Sequence, residues 1–341
     1  VKPFIGTLLL FILASVACSF SPAVVPTDFP TPPASATPTA IAATQTPLPA
    51  PTSTAPPPSP TPLPAATQTL APSPTAPVMT IGQLRNAILT ITGSDQVVRT
   101  MTFKDGKYQQ GSDQAEPGFD SVVMGEKFGF GDLNGDGLQD AVITIDENFG
   151  GTGLFVSVVV LLNDDGYPNA ITSTVIEDRA IINNLEITNG EIRMDAIVHG
   201  PGDPACCAAQ PSSRTYRLVK NALVLTRLTT KTPNGTERVI QIDSPANGAE
   251  ISGAFIIRGS VTISPFENNL VYRIYSPDLT NPIEQAGFII SADGMGGPGT
   301  FELNLDLNKT NIKGPLRIDI LDTSPADGST LALASLSLIS K

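Results

Sequence analysis

Sixty residues near the start of this chain cannot join a hydrophobic core, and that constraint shapes everything after them. Positions 19–78 hold 18 of the chain's 32 prolines and a single charge, Asp28. Runs such as Pro30-Thr31-Pro32-Pro33 and Pro56-Pro57-Pro58-Ser59-Pro60-Thr61-Pro62 lack the N–H groups that helices and sheets require, and their φ angles are fixed. The intervening Thr, Ser and Ala supply too little apolar bulk to offset ordering entropy. The expectation is a disordered Pro/Thr-rich stalk sampling polyproline II, which at ~3.1 Å per residue would reach at most roughly 180 Å. The rest of the 341-residue chain leaves room for two domains of ordinary size, each long enough to bury a core without disulfides.

Ahead of the stalk, Val1-Lys2-Pro3 leads into an apolar run from Phe4 to Val16, and then Ala17-Cys18. A positive residue, a short apolar stretch and small residues describe a secretory signal, and the run is too short to span a membrane comfortably. The stretch Leu13-Ala14-Ser15-Val16-Ala17-Cys18 resembles the bacterial lipobox, in which cleavage occurs just before a diacylated cysteine; Ser15 stands where that pattern usually has Leu. The resemblance implies a lipoprotein signal over 1–17 and a lipidated Cys18 opening the linker of 18–78. The protein would then be extracytoplasmic, lipid-anchored to the bacterial cell membrane. An ordinary cleaved signal with an incidental cysteine is the alternative.

The formal net charge is −12, and Lys2 is the one charge ahead of Cys18. Such a chain repels phosphate backbones and anionic head groups, so no nucleic-acid partner is expected, whereas divalent cations suit it. There is no Trp and only five Tyr, which leaves few stacking platforms for sugars or bases. The expected partners are the membrane, through the lipid, and an unidentified envelope or extracellular protein or glycan.

Residues 79–230 read as a β-rich domain with one or two short helices. Thr80-Ile81-Gly82-Gln83 has the form of a capping box, with Leu84, Ala87 and Ile88 behind it. Arg99–Lys104 alternates and ends at Asp105-Gly106. Ala141–Asp146 and Leu154–Leu162 are rich in β-branched residues, the second closed by Asp164-Asp165-Gly166. Ala180–Thr188 and Glu191–Val198 flank Asn189-Gly190, a strong hairpin signal, and Arg214–Val219 and Ala222–Leu228 flank Lys220-Asn221. The pattern predicts a mostly antiparallel meander.

Within it, Asp132-Leu133-Asn134-Gly135-Asp136-Gly137-Leu138-Gln139-Asp140 places side-chain oxygens at loop positions 1, 3, 5 and 9, with Gly137 at the sharp turn of position 6. In calcium loops of this DxNxDGxxD spacing the position-7 carbonyl, here that of Leu138, adds an oxygen. Calcium takes six to eight hard oxygens, so Asp132, Asn134, Asp136, Leu138 and Asp140 are the expected ligands of a structural calcium ion. Position 12 is Ile143, where an EF-hand would place Glu, and a strand follows. With Phe128-Gly129-Phe130-Gly131 ahead of it, the loop resembles the calcium loops of FG-GAP repeats; it occurs once, so no propeller is inferred. The alternative is an Asx-rich turn held by its own side-chain hydrogen bonds.

The domain also resembles an uncharacterised group of envelope lipoprotein domains, through this loop, Glu177-Asp178-Arg179 and the stretch His199-Gly200-Pro201-Gly202-Asp203-Pro204-Ala205-Cys206-Cys207. That resemblance implies no established activity. With Cys18 acylated, Cys206 and Cys207 are the remaining thiols. Three states stay open for them: a vicinal disulfide forming a rigid turn, a soft metal site using both thiolates and His199, and buried free thiols.

Residues 238–341 show seven short apolar stretches, beginning near Val239, Ile251, Leu270, Glu284, Thr300, Leu316 and Leu331. Period-two alternation, as in Phe301, Leu303 and Leu305 against Glu302, Asn304 and Asp306, argues an immunoglobulin-like β-sandwich. The segment resembles the Gmad2 family through Ile242-Asp243-Ser244-Pro245-Ala246-Asn247-Gly248, Gly259-Ser260-Val261, Phe266–Ile274, Ser291-Ala292-Asp293-Gly294, Gly299-Thr300-Phe301 and Asp322–Ser329. That resemblance implies an extracellular sandwich used for binding or assembly. The fold class expected overall is mainly β.

No catalytic residues are assigned. His199 is the only histidine, no G-x-S-x-G elbow accompanies it, and no H-E-x-x-H or Walker loop occurs. The expectation is therefore a binding or envelope-assembly lipoprotein. The alternatives are a cell-wall-directed hydrolase using acids near the calcium loop, and a thiol or metal sensor at Cys206-Cys207.

Overall fold

The computed structural model describes residues 77–276, 281–309 and 312–341. The expected signal segment, Cys18 and nearly all of the expected stalk lie outside the described residues. The fold is mainly β, as the sequence indicates. One short helix, α1 (Ile81–Leu84), opens it and is set by the capping box: Gln83 N donates to Thr80 Oγ1 at 3.3 Å and Thr80 N to Gln83 Oε1 at 2.9 Å.

Eleven strands then run to residue 231: β1 (Ile88–Thr92), β2 (Val98–Thr102), β3 (Lys107–Gln110), β4 (Asp120–Gly131), β5 (Asp140–Asn148), β6 (Phe155–Asp164), β7 (Tyr167–Asp178), β8 (Ile181–Thr188), β9 (Glu191–Val198), β10 (Gln210–Val219) and β11 (Ala222–Lys231). β1 and β2 form a hairpin, β3 to β7 an antiparallel five-stranded sheet in chain order, and β8 to β11 an antiparallel meander. These make three layers with the five-stranded sheet in the middle. Ile143 and Ile145 of β5 and Val159 and Leu161 of β6 pack toward the hairpin, against Leu89, Ile91 and Met101. Val142, Val158 and Val160 pack the other way, against Ile192, Met194 and Val198 of β9. Burial on both faces is why β5 and β6 read as near-continuous apolar runs instead of alternating ones. The turns between β6 and β7 and between β8 and β9 place Asp165-Gly166 and Asn189-Gly190 at positive φ, as two-residue hairpins of this hand require.

Ten strands follow: β12 (Glu237–Arg238), β13 (Ile240–Ser244), β14 (Glu250–Ile251), β15 (Ala254–Val261), β16 (Asn269–Tyr275), β17 (Glu284–Ile289), β18 (Ser291–Ala292), β19 (Gly299–Asp306), β20 (Gly314–Thr323) and β21 (Thr330–Ser340). They build an immunoglobulin-like sandwich. One sheet runs β13-β15-β19-β18 and the other contains β17-β16-β20-β21. Ile257, Leu303 and Leu305 from the first meet Ile274, Ile318, Ile320 and Leu336 from the second.

The second sheet does not stop at β21. β21 pairs with β11 through Arg227↔Ala334 and Leu228↔Leu333, so β8 to β11 continue the sandwich sheet into one of ten strands. Residues 232–236, between the halves, form a tight turn closed by Thr232 N to Thr236 O at 2.9 Å, and β12 folds back onto β11. Leu228, Leu321 and Leu333 bury a small shared cluster at this seam. Thr230 Oγ1 donates to Leu331 O at 2.7 Å, and the buried carboxylate of Asp322 accepts from Arg238 at 2.6 Å.

Directly opposed residues share a face of a sheet. Ala334, opposite Arg227, belongs to the sandwich core, whereas Met194, opposite Arg214 and thence Leu228, packs against the five-stranded sheet. The ten-stranded sheet is thus covered on opposite faces in its two halves. The face bearing Arg227 is roofed by β13-β15-β19-β18 on one side of the seam and, among the described residues, is bare over β9 to β11 on the other.

Candidate functional site

The expected calcium loop is the connection between β4 and β5, whose ends are held together by the pairing of Gly131 with Asp140. Two close approaches explain the Phe-Gly-Phe-Gly approach to it. A Cβ at Gly129 would lie 3.0 Å from the Cα of Glu186, and one at Gly131 would lie 2.6 Å from Cγ2 of Ile187. The end of β4 therefore rests directly on β8, which leaves no room for side chains on that side. The alternating Phe130 packs toward the hairpin-side core, and Phe128 meets it edge-on at 5.8 Å.

Asp132 organises the loop from its first position: Oδ1 accepts from Gly135 N at 2.7 Å and Oδ2 from Gly137 N at 3.0 Å. Asn134 Oδ1 accepts from Asp136 N at 2.9 Å, and Asp136 Oδ1 from Leu138 N at 2.7 Å. Asn134 Nδ2 donates to Asp136 Oδ2 at 2.8 Å. The side chains therefore curl inward over an exposed turn. Each carboxylate oxygen that accepts one amide keeps a second acceptor direction. The side-chain donor set of this turn is hard oxygen, the type calcium selects.

Asp140 is placed differently. It is fully buried, with Oδ2 accepting from Leu133 N at 2.9 Å and Oδ1 from Asn163 N, also at 2.9 Å. Asn163 in turn donates to Gln139 O at 3.1 Å and to Pro77 O at 2.9 Å, and accepts from Gly166 N at 2.7 Å. Asp140 thus anchors the base of the loop to the β6–β7 turn. Burial pushes its carboxyl above the usual range, the two amides oppose this, and the carboxylates of Asp136 and Asp132 add to it by repulsion. Among the described residues, no three His, Cys, Asp or Glu side chains are already grouped as a metal cage. A cation here would draw on Asp132, Asn134, Asp136 and the Leu138 carbonyl, with Asp140 at most in the outer position that calcium loops often fill through water.

The second candidate cluster joins the end of β7 to the β9–β10 connection. Glu177 Oε1 accepts from His199 N at 2.6 Å and also contacts His199 Nδ1. Asp203 Oδ2 accepts from Gly200 N at 2.8 Å and Ala209 N at 3.0 Å, closing the turn. Arg179 binds the Asp178 carboxylate and the Thr152 and Ala205 carbonyls, pinning the turn from outside. Cys206 and Cys207, both exposed, are joined to each other through sulfur, with Cα atoms 3.8 Å apart. Glu177-Asp178-Arg179 and His199–Cys207, distant in sequence, are therefore one structural unit. Its carboxylates and its imidazole Nδ1 are engaged in shaping a turn, while His199 Nε2 is buried without a partner.

Sequence reasoning singled out Asp132, Asn134, Asp136, Leu138 and Asp140 but missed Asn163, the second half of the loop's anchor. Its only signal was its place just before Asp164-Asp165-Gly166.

Residues 239–329 match Gmad2, the immunoglobulin-like domain of bacterial spore germination. No curated protein matches the chain.

Proposed function

Starting from a C-terminal domain of Gmad2 type, we propose that this protein is a binding or assembly module of the bacterial envelope, held outside the cytoplasm by a lipid on Cys18. The observation that supports this reading most is the Gmad2 match over a two-layer sandwich whose interior is filled by aliphatic and aromatic side chains. A filled interior leaves surfaces and loops as the places for contact, which is the mode of an immunoglobulin-like module and not of an enzyme with a central cleft. The N-terminal pattern supports the anchor: an apolar run ending at Cys18, followed by a proline-rich spacer.

Within this reading the β4–β5 loop takes calcium as a structural ion. The convergence of Asp132 and Asp136 with Asn134 supplies oxygen ligands on an exposed turn, and a cation would relieve the repulsion that these acids impose on Asp140.

The test of display uses cells that produce the native chain. The protein should fractionate with membranes, be cut by external protease, and carry diacylglycerol on Cys18; Cys18→Ser should release it from the membrane. A native protein found in the cytosol with residues 1–17 still attached would overturn the proposal.

A further inference from the structure

The face change of the ten-stranded sheet creates a groove of whose lining the sequence motifs marked Asn247 but none of the arginines. Where the roof of the sandwich ends, the bare face of β9 to β11 meets the wall formed by β21 and the loop after β13. The step between them encloses about 450 Å³ and is lined by Arg193, Thr215, Arg217, Arg227, Asn247 and Ser337, with Glu191 at its floor. Register places these groups in rows. Arg193, Thr215 and Arg227 lie opposite one another across β9, β10 and β11, and Glu191 lies opposite Arg217 in the adjacent row.

Charge is what sets the groove apart. The chain carries a formal −12, yet three of its arginines line this groove beside a single acid. Glu191 Oε1 accepts from Arg217 Nε and Nη2 at 2.8 and 2.6 Å, and its other oxygen lies 3.5 Å from Arg193. Arg227 is exposed, and its guanidinium has no ion pair or hydrogen bond among the described residues. The Arg193 and Arg217 side chains remain about half exposed, at 48% and 53%. One carboxylate against three guanidinium groups leaves an excess of about two positive charges. Guanidinium forks facing a concave, solvated surface suit planar or tetrahedral oxyanions, which they bind through paired N–H donors. Around them stand neutral hydrogen-bonding groups. Asn247, in the lining, accepts from Ser337 N at 2.9 Å through its side-chain oxygen, which leaves its amide N–H groups as donors, and the Thr215 hydroxyl shares the sheet face of Arg193 and Arg227. Aromatic side chains are absent from the lining.

We propose that this groove binds an anionic, hydroxyl-bearing polymer of polyol-phosphate or uronate type, with its phosphate or carboxylate groups on Arg193, Arg217 and Arg227 and its hydroxyls on Thr215 and Asn247. This names the ligand class for the envelope-binding role proposed above and rests on that role. An open groove that crosses the seam fits an extended polymer, where a single small anion would engage only one or two of the arginines.

Calorimetric titration of the full chain with polyglycerol phosphate, polygalacturonate, polyglutamate and neutral dextran, at low and at physiological salt, tests the proposal. At least one of the two anionic hydroxyl-bearing polymers should bind, dextran should not, and added salt should weaken the binding. Binding to polyglycerol phosphate alone assigns phosphodiester groups, and binding to polygalacturonate alone assigns carboxylates. The double variant Arg217→Gln/Arg227→Gln should lose affinity by at least about tenfold. Glu191→Gln should gain affinity, a readout that misfolding would not mimic. The proposal fails if neither anionic polymer binds, if the double variant binds as tightly as the native chain, or if polyglutamate binds as well as either polymer. Membrane display of the native protein is measured separately, so loss of the groove leaves the envelope location standing.

Discussion

Asp140 and Asp132 lie in one motif, yet the structure gives them separable duties. Asp132 shapes the exposed turn, and Asp140 holds two backbone amides in a dry setting at the turn's base. Asp140→Ala should therefore destabilise the fold by about 2–4 kcal/mol with or without calcium, because buried donors lose their acceptor. Asp132→Ala and Asp136→Ala should change stability less, but should abolish the rise in melting temperature that calcium gives the native protein. Calcium at about 100 times its Kd should add about 2.7 kcal/mol to the native chain. Thermal melts with calcium and with chelator check both statements, and a calcium shift that survives the Asp132 and Asp136 substitutions would remove calcium from this loop. The loop's spacing was legible in sequence because its residues are consecutive. Asn163, Glu186 and Ile187 were not, since they reach the site only through sheet packing.

Among single elements, β5 carries the clearest electrostatic consequence. Asp146 sits in this central strand, and burial raises its carboxyl above the ordinary value of 3.8. The folded protein therefore holds that proton to higher pH than the unfolded chain does. The sign follows from linkage: Asp146's contribution is full below about 3.8 and is lost as pH rises through the raised value. Asp146→Asn should flatten this slope and make the protein more stable than the native form at neutral pH, as measured by denaturant unfolding across the acid range.

Legibility also varied strand by strand. β9 was read with its observed bounds because it alternates cleanly and is flanked by a turn pair. β4 escaped notice because Gly125, Gly129 and Gly131 interrupt its pattern and its pairing with β5 shifts between Met124 and Phe128. β7 escaped because it starts with Tyr167-Pro168 and half of its residues are polar, features that an edge strand of the five-stranded sheet tolerates.

For the whole molecule, the seam between β11 and β21 decides how the two halves behave. Period-two patterning located each half, but two residue pairs joining positions 227–228 to 333–334 leave no local trace in a sequence. The seam depends on the Leu228 cluster and on Arg238 reaching Asp322, whose carboxyl burial raises and Arg238 opposes. Arg238→Leu would strand that carboxylate, costing about 3–5 kcal/mol at neutral pH. The loss should shrink as the medium is acidified and Asp322 takes up a proton. Calorimetry should show the native chain melting in one transition and the variant in two; a single unshifted transition would show that this ion pair does not couple the halves.

The seam has a practical corollary. Scissors applied between residues 231 and 239, the obvious place to separate a Gmad2 fragment, would strip β11 and β12 from their neighbours and bare Leu321 and Leu333 together with unsatisfied strand N–H and C=O groups. Naked strand margins of this kind recruit other chains. A fragment that starts at the family boundary and runs on through β21 would be a stickier object than the module nature makes.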